Sequence, residues 1–257
     1  MECFHEALEG VSEVCSAIAW LRRVKVSKET LPFPFNNITD RINKTFIADA
    51  VSACEAMPLG HVRTHLDVAQ GQKLLELASD KWISTTTVNA LLAYLSSSFS
   101  AAGIVKPEYF SATNRAKDMK KRIIDATKPF GGGKTHVIGI VNLDGSHWMA
   151  FVCNVASSEC ILYDPYRVGR KERVQRLRDM VDELLVQHIT DDEIIYTPHT
   201  DLGVLDQDDD YSCGVFCAVF LEMVLNNAAM SHEFMLPGRV YRARYITLLS
   251  ILLRSLV

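Results

Sequence analysis

The residues best suited to chemistry are His147, Asp164, Gln207 and Cys213. Cys213 ends a polar, acidic loop and opens an apolar run, Val215, Phe216, Val219, Phe220, Met223 and Val224, whose spacing predicts a buried helix. A thiol in the first turn of such a helix meets unpaired backbone N–H groups and the positive end of the dipole, both of which stabilise a thiolate. Alone, this fits equally well a buried cysteine that is only a small hydrophobe. A thiol nucleophile also needs a base, a group that orients the base, and donors for an oxyanion. His147 follows an Asp144-Gly145 turn at the start of an apolar run, so strand backbone places its ring. Asp164 ends the next apolar run, before Pro165, and can accept from the second imidazole nitrogen if the two strands are neighbours. Gln207, six residues before Cys213, can bring its amide beside the Cys213 N–H. Each has an ordinary reading in a turn or loop. The four together, in the order His, Asp, Gln, Cys, point to covalent catalysis by cysteine.

These groups need elements to hold them. The period turns to β at His136–Leu143, continues from His147 to about Val155, and returns at 160–163, which predicts three strands of an antiparallel meander. Residues 193–197 form a fourth predicted strand, and 170–188 an amphipathic helix with Val174, Leu177, Val181, Leu184 and Leu185 inward and Arg170, Lys171, Arg173, Arg176 and Arg178 outward. Helices are also expected at 2–25, from Thr39 or Asp40 to about Met57, from a Ser84 or Thr cap to about 96–98, over 113–126, and from about Arg239. Strands grouped between helices give α+β. The first sixty residues read as a helical extension without chemistry, and 61–257 as the catalytic domain.

Several suggestive patterns dissolve on inspection. His61 and His65 have zinc-motif spacing, but Val62 stands where the glutamate base belongs, so they are two surface histidines. Gly131-Gly-Gly-Lys-Thr135 lacks the first glycine of a phosphate loop, has Lys128 in its place, and leads into a strand; it is a loop. No metal or cofactor is implied. The net charge of −4 and a pI near 6.1 give no support for a nucleic-acid or membrane partner. Seven unpaired-looking cysteines, and no signal-like opening, suggest a reducing intracellular setting, nucleus or cytoplasm.

His147-Trp148, Tyr163-Asp164, Gln207 and Ser212-Cys213-Gly214-Val-Phe-Cys217, with their separations, resemble the ubiquitin-like-protease family, the SUMO-deconjugating cysteine proteases related to the adenoviral proteinase. Trp82-Ile-Ser-Thr-Thr-Thr-Val-Asn-Ala-Leu-Leu is similar to the helix that opens that family's catalytic domain, and the likeness spans roughly residues 75–227. The resemblance implies a papain-like, adenain-like fold with a mixed, mostly antiparallel sheet flanked by helices. It implies cleavage after the C-terminal Gly-Gly of a ubiquitin-like modifier, SUMO first, which with its conjugates would be the partner. Cys213 would be nucleophile, His147 base and then acid, Asp164 its orienting group, and Gln207 part of the oxyanion hole. Trp82 and Trp148 would flank the channel for the diglycine, where two indoles admit glycine and exclude branched residues. The sequence departs from the family at Thr85, often acidic there, and at Asp208-Asp209-Asp210-Tyr211-Ser212, often with Asn in the loop and Asp before the cysteine. Residues 201–212 carry five aspartates and no basic residue, a loop that would favour a basic patch on a substrate. An acetyltransferase on the same fold and a modifier-binding pseudoprotease are the alternatives.

Overall fold

The structure is a computed structural model that describes residues 2–26, 35, 42–112, 117–189, 193–198, 205–228 and 236–257. These residues group into two compact units, Met1–Tyr94 with Leu236–Val257, and Leu95–Met235.

In the first unit, α1 (Glu2–Leu21) and α2 (Ile42–Glu55) precede a hairpin of β1 (His61–Arg63) and β2 (Val68–Gln70). A short α3 (Gly71–Leu74) runs into a 3-10 turn at Leu75–Ala78, then α4 (Thr85–Ser98) begins. The chain returns to this unit as α9 (Gly238–Arg254), which meets α2 and the 3-10 turn. α1 buries Gly10, Ala17, Trp20 and Leu21, while Leu8 and Val11 face solvent. The apolar spacing of Leu8, Val11, Val14, Cys15, Ile18 and Leu21 therefore marks only part of the inner face; small residues lie there because the neighbour is close, a Cβ at Gly10 falling 3.0 Å from Leu59. His61 and His65 are both exposed, and His61 is on a strand, so the helical spacing does not apply. Ser84 caps α4, its Oγ accepting from the Thr87 N–H at 3.5 Å. The suggested caps of α2, Thr39 and Asp40, lie outside the described residues.

In the second unit β3 (Ala102–Val105), α5 (Pro107–Ser111) and α6 (Lys117–Thr127) lead to β4 (His136–Leu143), β5 (His147–Asn154) and β6 (Glu159–Tyr163). Then come α7 (Arg170–Leu185), β7 (Ile195–Pro198) and α8 (Cys213–Leu225). The five strands lie in the order β3-β4-β5-β6-β7. The central strands are the expected antiparallel meander, and β3 and β7 add parallel edges. Asp144 and Gly145 both have positive φ, 57° and 74°, and Ser146 N–H returns to Leu143 O at 3.2 Å. This left-handed pair makes the tight β4–β5 turn that aims His147. Gly139 is needed because a Cβ there would lie 2.5 Å from the Phe151 ring of its register partner.

The sheet is covered on both faces. Met149, Phe151 and Cys153 of β5 and Cys160 and Leu162 of β6 share one core with Leu177, Val181, Leu184 and Leu185 of α7. α8 lies against β5 and β4, with Phe220 stacked on Tyr163 at 4.4 Å. Cys213–Met223 of α8 is buried all round, the mark of a helix inside a core.

Candidate active site

Strand alternation brings the first two candidates together. His147 has the parity of Met149, Phe151 and Cys153, and Asp164 that of Cys160 and Leu162, so both point to the α7 face of adjacent strands. The register pairs Ala150 with Tyr163, making His147 and Asp164 diagonal neighbours within side-chain reach. His147 Nε2 lies 2.7 Å from Asp164 Oδ1. Asp164 is fully buried, and the same oxygen accepts the Tyr166 N–H at 2.9 Å. Its Oδ2 accepts from Arg173 Nε at 2.7 Å.

Cys213 opens α8 and is the second group whose interaction raises the His147 pKa. With Nε2 committed to Asp164, Nδ1 is the ring nitrogen left for a second partner. Burial pulls the His147 pKa down, but the hydrogen bonds and charges of Asp164 and Cys213 outweigh it and raise it to about 9. The imidazole is therefore cationic at neutral pH. Cys217, one turn along α8, has no such partner: burial, then the Cys213 and Asp164 charges, push its thiol well above the ordinary range. Cys54 is pushed up to about 12, mainly by burial.

The loop before Cys213 is built by its aspartates. Asp206 is buried and paired with Arg167 and Arg170. Asp209 accepts from Tyr211 N–H at 3.0 Å, Ser212 N–H at 2.7 Å and Ser212 Oγ at 2.7 Å. Only Asp208 and Asp210 of this set are exposed, and Asp201 lies outside the described residues. Because Ser212 gives its hydroxyl to Asp209, no side chain caps the first turn of α8. Gln207 N–H bonds Pro165 O at 3.0 Å, tying this loop to the turn after Asp164. Gln207 Nε2 donates to Asp209 O at 2.5 Å, and its Oε1 is buried without a hydrogen-bond partner.

A sequence model described as the Ulp1 protease family, C-terminal catalytic domain, matches residues 81–238, more than half of the chain. The chain belongs to the Ulp1 protease family. It is accordingly a cysteine-type peptidase, and its α+β architecture with a mixed sheet is the Ulp1 catalytic fold. Among solved structures it is similar to a SUMO protease Ulp1 with its catalytic cysteine oxidised to a sulfenic acid, with TM-score 0.60 and 14% identity over 82% of this chain and 96% of that one. It is also similar to the Ulp1 domain in complex with Smt3, the yeast ortholog of SUMO (0.56, 13%, 80% and 94%). A third is the Ulp1-like SUMO protease domain of Chaetomium thermophilum (0.58, 11%, 87% and 94%). Identities this low show the fold. No curated protein matches the sequence. No helix among the described residues is long and apolar enough to cross a membrane.

Within this Ulp1 fold, His147, Asp164 and Cys213 form one cluster, and Gln207 belongs to the loop leading into it. Trp148 follows His147 and is 4% exposed, whereas Trp82, in the approach to α4, is 55% exposed. The expectation that Arg170 and Arg173 face solvent is overturned: their side chains are 14% and 21% exposed and are paired with Asp206 and Asp164. The amphipathic pattern of α7 hid them, since it reports only the apolar face and their acidic partners lie on other segments. The sole sequence hint was the cluster of cations in the first turn, where the helix dipole disfavours them.

Proposed function

We propose that this Ulp1-family peptidase is an isopeptidase and processing protease for a ubiquitin-like modifier, SUMO first, which it cleaves after the C-terminal Gly-Gly. The observation that carries this reading is the His147 imidazole held 2.7 Å from the buried Asp164 carboxylate, with Cys213 as the other group acting on it. Cys213 Sγ attacks the carbonyl carbon of the last glycine, and the oxyanion takes hydrogen bonds from the Cys213 N–H and the Gln207 amide. His147 passes its proton to the departing amine, which leaves a thioester. It then accepts a proton from the water that attacks the thioester, the modifier's glycine carboxyl group departs, and sulfur leaves as the thiolate beside the His147 imidazolium, which restores the starting pair. Asp164 keeps Nδ1 turned to sulfur throughout. Trp82 and Trp148 are assigned to the channel that admits only the diglycine.

Support for SUMO as partner is that the solved relatives include a Ulp1 domain in complex with Smt3. Residues 61–257 are assigned the chemistry and 1–60 a helical extension, in an intracellular setting of nucleus or cytoplasm. The extension is tied into its own unit: Trp20 Nε1 donates to Asp80 Oδ1 at 2.8 Å and Ser250 Oγ to Ala53 O at 3.1 Å.

The test is hydrolysis of a panel of ubiquitin-like modifiers carrying a fluorogenic group on the Gly-Gly carboxyl. The wild-type chain is expected to turn over the SUMO member and Cys213→Ala to be inactive. Turnover of a different modifier would correct the partner. Turnover of none would contradict the reading, with acetyl transfer from acetyl-CoA favouring the acyltransferase and tight binding alone the pseudoprotease.

A further inference from the structure

The opening turn of α7 is electrostatically odd. It carries Arg170, Lys171 and Arg173 against the single acid Glu172, at the helix end where backbone N–H groups already present positive charge. Local disfavour of this kind is tolerated where a side chain serves something beyond its own helix. For Arg173 the acceptors are fixed. Nε and Nη2 both lie 2.7 Å from Asp164 Oδ2. Nη2 also donates to Tyr166 O at 2.8 Å, and Nη1 to Val168 O at 2.6 Å. The guanidinium covers the Tyr166 ring at 5.6 Å, and that ring stands edge-on to the His147 imidazole at 6.4 Å.

A carboxylate turns easily about its last torsion, which is broad and two-fold. With Oδ1 alone engaged, Asp164 could swing away from the line to His147 Nε2. The Arg173 fork on Oδ2 prevents this because a planar guanidinium defines both a position and a plane. The same fork supplies the opposite charge that a fully buried carboxylate requires. The side chain is held at four contacts and is itself largely covered, so its geometry is set before any substrate arrives.

We propose that Arg173 is a positioning residue of the catalytic centre, fixing the plane of the Asp164 carboxylate and through it the orientation of His147. It touches neither the thiol nor a substrate carbonyl; its effect passes through Asp164. The proposal rests on the assignment of His147 and Asp164 to the triad, so its test must separate the two ideas and must not depend on which modifier is cleaved.

The imidazole supplies that readout. The groups facing it are Asp164 just after β6, Cys213 on α8 and the Tyr166 ring, with Arg173 behind Asp164. The full chain is labelled with carbon-13 at histidine, and the His147 resonance is identified by its loss in His147→Gln. Wild type should titrate near 9. In Arg173→Met the midpoint should fall by about one pH unit or more, because a misaligned carboxylate holds the imidazolium proton less well. In the same variant kcat should drop by about 10- to 100-fold with KM within about threefold, since alignment matters in the transition state and not in binding. Arg173→Lys, with a cation but no fork, should lie between the two.

An unchanged midpoint in a folded Arg173→Met would overturn the proposal. So would a rise, which would mean that Arg173 only drains charge from a carboxylate already in place. If the Met variant does not fold, Arg173→Lys decides: wild-type titration and kcat in that variant overturn positioning by the fork. Failure of the triad assignment looks different. It would show as an unshifted His147 in Asp164→Asn, with Arg173 then irrelevant to the chemistry.

Discussion

Both compact units use a covered arginine to hold a loop, and they do it with different acceptors. In the first unit Arg242 of α9 is fully buried and donates to three carbonyls, Glu76 O and Ser79 O at 2.9 Å and Lys81 O at 2.8 Å. It pins the segment just before Trp82. In the second, Arg173 and Arg170 reach the carboxylates of Asp164 and Asp206, beside His147 and Gln207. Carbonyl acceptors carry no net charge and do not titrate, so these three bonds fix position alone. Carboxylate acceptors couple position to charge, and the hydrogen bond and charge of Asp164 are among the causes that raise the His147 pKa. A loop that only needs a shape is held by dipoles; a loop that must sustain an imidazolium is held by ions.

That contrast can be broken first at Asp164. Asp164→Asn keeps the shape and removes the charge, and kcat/KM for the modifier substrate should fall by about a thousandfold to ten-thousandfold. The pH dependence should change with it. In wild type His147 stays protonated up to about 9, so activity that needs its proton for the leaving amine declines above that pH. Because this value lies above that of a free imidazole, the stabilisation from protonated His147 is complete below about pH 6.5 and is lost as pH rises through about 9. In Asp164→Asn the alkaline decline should begin at lower pH. A smaller effect is expected from Arg242→Leu, which strands three partly buried carbonyls and should cost about 3–4 kcal/mol in denaturant unfolding. Its His147 titration should match wild type; a shift there would dissolve the distinction between the two frames. Least of all is expected from Asp144→Asn. Its pair with Arg176 is bidentate but exposed, so the melting temperature should stay within error.

The centre of the sheet could be read in advance because its signals are local. His136–Leu143 is a mostly apolar run, and the positive-φ Asp144-Gly145 turn fixes where β5 starts, so His147 falls where the sequence places it. The start of α8 at Cys213 was legible for the same reason, an abrupt change from acidic to apolar residues. β3 was not legible: four residues suffice only because β4, whose register partners lie 34 positions further on (Ala102 to His136), supplies their hydrogen bonds. The β1–β2 hairpin was missed because three-residue strands show no period. The arginine partners were missed because the fold chooses among many acids, and nothing near Arg173 marks Asp164 as the one it meets. The inward turn of Asp206 and Asp209 was hidden likewise, since a run of aspartates reads as solvated until the arginines and N–H groups around it are placed.

The most direct test of the central claim is to locate the nucleophile. The full chain is treated with a SUMO-type modifier ending in Gly-Gly and a C-terminal electrophile, and the adduct is mapped by mass spectrometry. A single thioether on Cys213 is predicted, absent in Cys213→Ala and strongly slowed in His147→Gln. An adduct on Cys15 or Cys217, or labelling of Cys213 at an unchanged rate without His147, would contradict the account.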